Sequence, residues 1–169
     1  MILDAKSAIE YWNLGRCNMN ITWKQGSSEL WYNGIMIPCS CNVRNELNGL
    51  RGMHEITRTM PNGKPYMPRI FPIGTWKVGM PIPKYSAEMA PYFIPTNAFQ
   101  VVPIWNTMLG SYTSMSDEMD KDEAYGLHFS EYKNTLGCIK IRNTVDLIEL
   151  VHVIQDCFKR KEEVYVIVS

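Results

Sequence analysis

Gly126-Leu-His128-Phe-Ser130, a short polar link, and Thr135-Leu-Gly137-Cys138-Ile-Lys140-Ile-Arg142-Asn143-Thr-Val-Asp146 is the stretch on which the reading of this chain turns. Two short apolar runs at strand length flank the link, so His128 and Cys138 are expected on neighbouring strands joined by a turn. A thiolate nucleophile needs an imidazole to take its proton, a small residue beside it, and backbone N–H groups aimed at the developing oxyanion. His128, Gly137 and the peptide groups around Cys138 answer those needs. Lys140 and Arg142 stand two residues apart and share a face if extended, where either can pair with a substrate carboxylate.

Beyond this stretch the signals stay sharp. Asn143 is placed to cap a helix with Asp146 near its positive end, and Leu147, Leu150, Val151, Ile154 and Phe158 recur at helical spacing. Lys159-Arg-Lys suits the helix C-terminus, and 163–169 then reads as a closing strand. Upstream, period-two patterning from Met19 predicts three antiparallel strands: 20–24, 29–32 and 35–43. Asn33-Gly34 forms the second hairpin turn, because a type I′ turn needs positive φ at both central residues. Gly74-Thr-Trp-Lys-Val78 is a further strand, as is Phe99–Trp105, while prolines limit 79–105 to short strands.

Residues 4–14 read as a short helix capped by Asp4 and stopped by Gly15, an extension of residues 1–18 on a domain of residues 19–169. Residues 44–69, rich in Gly and Pro, read as a long loop or arm. Residues 106–124 also read as loop. Its acidic run 117–123 lacks the ligand spacing and glycine of a calcium loop. The fold class expected is mainly β with few helices, an α+β chain.

The 169 residues carry 17 basic and 17 acidic side chains with 46% hydrophobic residues, a globular composition with no net pull toward nucleic acid. No apolar run approaches a membrane span, and Met1-Ile-Leu-Asp-Ala-Lys has no export-signal pattern. Cysteines 17, 39, 41, 138 and 157 form an odd set without a Cys-x-x-Cys pair, and His54, His128 and His152 miss finger spacing, so neither a disulfide framework nor a metal site is expected. Cys39 and Cys41 read as packing residues, His54 as a loop residue, and His152 as solvated. Tyr92, Phe93, Trp105 and Tyr112 read as core aromatics, with a cleft lining as the sharper alternative.

Thr135-Leu-Gly-Cys-Ile-Lys-Ile, with His128 upstream, Asn143 and Asp146 opening a helix, and a final strand, resembles the signature of the L,D-transpeptidase (YkuD-like) catalytic domain. Glu29-Leu-Trp-Tyr-Asn-Gly-Ile-Met-Ile-Pro-Cys resembles the family's opening hairpin, and Phe71-Pro-Ile-Gly-Thr-Trp-Lys-Val its Pro-x-Gly-Thr strand. Leu136 stands where the family usually has a second histidine, and Lys140 where it usually has arginine. The interval from His128 to Cys138 is compact, as in phage and secreted-toxin relatives of the family.

The resemblance implies an L,D-transpeptidase-like β-sandwich with a helix after the catalytic cysteine and a C-terminal strand. It implies a peptidoglycan-modifying cysteine acyltransferase on stem peptides, a transpeptidase or carboxypeptidase working through a Cys138 thioester, with no cofactor. His128 would be general base and then acid, Gly137 would clear the approach, and the Cys138 N–H would bind the oxyanion. Lys140, Arg142, Ser130 and Thr135 would contact substrate. Action at the cell wall or periplasm follows, with delivery by phage or a secretion apparatus. The competing expectation is a non-catalytic peptidoglycan-binding or phage structural module on the same fold. A Cys/His peptidase of the papain type would place cysteine before histidine, the reverse of this order.

Overall fold

The computed structural model describes residues 18–41, 70–86, 89–103, 105–106, 108, 111–112, 119–130 and 137–169. The expected helix at 4–14, the arm at 44–69, Cys17, His54 and Thr135 lie outside them.

The described residues begin with a meander of β1 (Met19–Trp23), β2 (Glu29–Tyr32) and β3 (Ile35–Ser40). Met19, Ile21, Trp23, Leu30, Tyr32, Ile37 and Cys39 alternate inward, as period-two patterning requires for a sheet with one buried face. Asn33 at φ 49° and Gly34 at φ 74° make the tight connection between β2 and β3. Both central residues thus take the left-handed conformation that a type I′ hairpin demands.

The chain continues through β4 (Gly74–Lys77), β5 (Ile82–Pro83), β6 (Tyr92–Pro95), β7 (Gln100–Pro103), β8 (Trp105–Asn106), β9 (Ser111–Tyr112), β10 (Met119–Asp122), β11 (Gly126–Phe129) and β12 (Ile139–Ile141). Helix α1 (Thr144–Lys159) and β13 (Val164–Val168) follow. Among the described residues nine strands form one sheet in the order β4-β13-β1-β2-β3-β12-β11-β6-β5. The sheet curls until its ends meet: Val78, just past β4, bridges Thr96, just past β6. Gly79 N–H donates to Pro95 O at 2.8 Å and Asn97 N–H to Lys77 O at 3.0 Å, securing the seam. The described chain is therefore mainly β with one helix, the class that its composition and patterning predict.

Two expectations need correction. The segment 106–124 read as loop contains β9, which pairs antiparallel with β8, and, within its acidic run, β10, which pairs antiparallel with β7 from Met119↔Pro103 to Asp122↔Gln100. Charged residues have low strand propensity, but a ladder partner overrides a weak local preference. The other concerns β11 and β12, which are neighbours as expected but run parallel, Leu127↔Ile139 through Phe129↔Ile141. Parallel neighbours are not a hairpin pair, which corrects the arrangement expected for these two strands.

Helix α1 fixes one side of this region. Asn143, extended at φ −136° and ψ 150°, accepts from the Asp146 N–H at 2.8 Å, satisfying an otherwise orphan donor of the first turn. Leu147, Leu150, Val151, Ile154 and Cys157 are its buried stripe. Phe158, expected in that stripe, only packs against its edge. The helix ends on Lys161 at φ 58°, with Glu162 N–H reaching back to Cys157 O at 2.9 Å. It packs against β6, β11 and β12, so Ile94, Leu127, Ile139 and Ile141 face the core with it. Burying each such side chain stabilises the fold by about 1.5–3 kcal/mol. Alternation then leaves the intervening residues of those strands on the opposite face.

Candidate active site

That opposite face carries the candidate residues. His128 pairs with Lys140 across β11–β12, Lys140 with Ser40 across β12–β3, His128 with Phe93 across β11–β6, and Phe93 with Ile82 across β6–β5. A single cross-strand row therefore reads Ile82, Phe93, His128, Lys140, Ser40. Cys138 immediately precedes β12, and continuing the register sets it beside Gly126, on the same face as Lys140. The register thus sets Cys138 next to Gly126, two residues before His128 on the neighbouring strand.

His128 is 5% exposed. Its Nδ1 lies 2.9 Å from Phe129 O. A carbonyl oxygen only accepts, so Nδ1 carries a proton in this contact. The Phe93 ring stands 6.0 Å from the imidazole, centroid to centroid, at a tilt of 48°. It also covers Gly126: a Cβ there would fall 2.5 Å from Phe93 Cζ and closer still to Ile94 O. Gly126 is thus the residue that lets an aromatic ring lie across the strand beside the histidine.

Cys138 is 6% exposed. Its Sγ donates to Ala124 O at 3.8 Å, from a turn where Ala124 takes the left-handed conformation at φ 70°. Burial above all pushes the thiol up to about 12; Cys41 and Asp122 add to the rise, and a backbone hydrogen bond from Gly126 opposes it. Asp122 is anchored by the Tyr125 hydroxyl, which donates to its carboxylate. Gly137, directly before the thiol, sits at φ 117°, which an L side chain rarely adopts. Its glycine identity is therefore a backbone requirement as much as a matter of clearance.

Lys140 is half-buried, and burial followed by the neighbouring Arg142 holds its ammonium below the usual lysine range. Arg142 is exposed at the end of β12, where its N–H donates to Pro38 O at 3.1 Å. Ser130 is buried just beyond β11. The fold thus gathers Cys138, His128, Gly137 and Lys140, leaves Arg142 toward solvent, and sets Ser130 one row from His128.

Sequence reasoning passed over Gly126, Ser40 and Cys41 as site residues, and it left Phe93 in a list of aromatics. Nothing local marks them, since strand register brings them in. Cys41 Sγ donates to Gly137 O at 3.5 Å, and Cys39 is fully buried with its thiol pushed up to about 12 by burial. Cysteines 39, 41, 138 and 157 are not in disulfides. Among the described residues no three His, Cys, Asp or Glu side chains gather in a way that could hold a metal ion, and no helix is long and apolar enough to cross a membrane. His152 is exposed on α1.

Comparison with known proteins returns no match to this chain, whether against family models, curated proteins or solved structures.

Proposed function

We propose that this chain is a cysteine acyltransferase acting on peptidoglycan stem peptides, an L,D-transpeptidase or L,D-carboxypeptidase on an L,D-transpeptidase-like β-sandwich. The observation that supports the reading is the strand register, which brings Cys138, behind a left-handed glycine, to the strand beside a histidine whose Nδ1 lies 2.9 Å from Phe129 O. That tie puts a proton on Nδ1, as in the tautomer whose Nε2 acts as base in thiol activation.

The chemistry runs as follows in this reading. Cys138 Sγ bonds to the carbonyl carbon preceding a terminal D-alanine while His128 Nε2 takes the thiol proton. The C–N bond breaks, His128 returns the proton to the departing amine, and a thioester remains. An acceptor amine or water then attacks that thioester and frees the thiol, His128 again moving the proton. A thiol with a pKa of about 12 is ionised to about one part in 10⁵ at pH 7. Proton removal would accordingly accompany attack and would not precede it as a resting thiolate–imidazolium pair. Lys140 and Arg142 offer cationic partners for the substrate carboxylate. The place of action would be the cell wall or periplasm, reached by phage or secretion delivery.

The burial of the Cys138 thiol favours a second reading, a non-catalytic peptidoglycan-binding or phage structural module. Digestion of purified sacculi and of tetrapeptide muropeptides, followed by mass spectrometry, decides between them. Loss of terminal D-alanine or new cross-links with wild type, and none with Cys138→Ala, is the result expected of the enzyme. Equal product from both, or binding to sacculi with no product from either, overturns it.

A further inference from the structure

We infer that Cys41 is a positioning residue for the oxyanion-binding N–H of Cys138, acting through the Gly137–Cys138 peptide; this rests on the acyl-transfer reading above. The Gly137 carbonyl and the Cys138 N–H belong to one peptide unit. In a trans peptide they point to opposite sides of the chain in one rigid plane. Orienting one orients the other.

Two features fix that plane. Gly137 at φ 117° occupies a conformation open chiefly to glycine, so the backbone enters the unit at an angle that another residue would resist. The Cys41 thiol then donates to Gly137 O at 3.5 Å. Cys41 directly follows β3, and β12 lies between β3 and β11. A carbonyl drawn toward the β3 side turns the Cys138 N–H toward β11, the strand that carries His128 and Gly126. There a substrate carbonyl attacked by Cys138 Sγ would develop its negative charge between the thiol and the imidazole strand. Rotation of this one unit would present a carbonyl oxygen where the developing oxyanion needs a donor, which replaces attraction by repulsion. A thiol is a weak donor, but here it acts on a peptide already restrained on its other side, so a small bias suffices to choose between the two orientations.

The test compares Cys41→Val, which keeps bulk and removes the donor, with Cys41→Ser, which keeps a donor, in the full chain on tetrapeptide muropeptides. The expected result is a fall in kcat of between about tenfold and a hundredfold for Cys41→Val with KM within about twofold of wild type, the pattern of a contact felt only in the transition state. Cys41→Ser should recover most of that loss. The backbone amide resonance of Cys138 should move in Cys41→Val and return toward its wild-type position in Cys41→Ser. Wild-type kcat in Cys41→Val, or equal losses in both variants with raised KM, overturns the inference. If wild type itself shows no turnover that Cys138→Ala removes, the acyl-transfer reading fails by itself. The amide resonance then decides the orienting role alone: displacement in Cys41→Val upholds it, and an unmoved resonance overturns it.

Discussion

His128 and Lys140 are register partners across the parallel pair β11–β12, so imidazole and ammonium leave the same face of the sheet side by side. A base and a cation set one strand apart suit a peptide whose scissile carbonyl lies close to a free carboxylate. Lys140 is also the more enclosed of the two cations on β12 and its end.

Lys140→Ala in a Cys138→Ala background is expected to weaken binding of a tetrapeptide donor by about 1–3 kcal/mol, the scale of hydrogen bonds to charged groups. Arg142→Ala should stay within about 0.5 kcal/mol of the parent, as exposed charges do. Calorimetric titration of the two variants checks this. The reverse ranking would move the carboxylate site to the end of β12.

The buried Cys138 thiol sets the pH course of its own reactivity. Iodoacetamide labelling, followed on the Cys138 peptide by mass spectrometry, should be slow at pH 7. It should rise about tenfold per pH unit up to pH 11, because the thiol pKa of about 12 lies above that range. His128→Ala should leave this profile unchanged while lowering turnover by about 10² to 10⁴. A plateau near neutrality would show a resting ion pair instead.

Alkaline pH should loosen the fold through the same physics. Cys39 and Cys138 both move from an ordinary value of 9.0 to about 12, chiefly by burial, and burial raises Tyr32 as well. A raised thiol pKa favours the neutral form in the folded state, so the stability it contributes is whole below pH 9 and is lost as pH rises toward 12. Thermal melts between pH 8 and 11 should fall with a slope that Cys39→Ala makes shallower, although that variant starts lower because of the cavity it leaves. An identical slope in both proteins would contradict the assignment.

Gly126→Ala should destabilise the protein by about 1–3 kcal/mol or more, since its Cβ meets both Phe93 and the Ile94 carbonyl. Trimming the ring with Phe93→Leu in the same chain should not restore stability, because the Ile94 oxygen is backbone and stays. Urea unfolding of the single and double variants reads this directly. Full rescue would mean that the ring alone excludes a side chain there.

The residues that announced themselves in the sequence are those whose partners are close in the chain. Asn33-Gly34 encodes its own turn, and Asn143 with Asp146 encodes its own cap. The three opening strands and the helix follow from such local chemistry. What stayed hidden depends on distant partners: β10 forms because β7 is there to pair with it, and β12 sits parallel to β11 with β3 on its other side. At the site, the motif around Cys138 pointed to His128, Gly137 and Lys140. It carried no trace of Phe93, of the Cys41 contact with Gly137, or of the Ala124 turn that encloses the thiol. Burial is a property of the assembled sheet, and so the raised pKa of the Cys138 thiol could not be read from the motif.

The parallel pair of β1 and β13, Met19↔Val164 through Trp23↔Val168, has a consequence for how the molecule is made. β13 sits between β4 and β1, so until Val164–Val168 has been synthesised β4 lacks its partner in this sheet and β1 is paired on the β2 side alone. Vectorial synthesis therefore brings out the β1–β2–β3 meander long before one of its flanks can be covered. The closing step joins segments far apart in sequence, which makes assembly slow, and the waiting edge of β1 is a template for pairing with other chains. Expression yield is thus expected to depend on chaperone supply during synthesis more than on the stability of the finished fold.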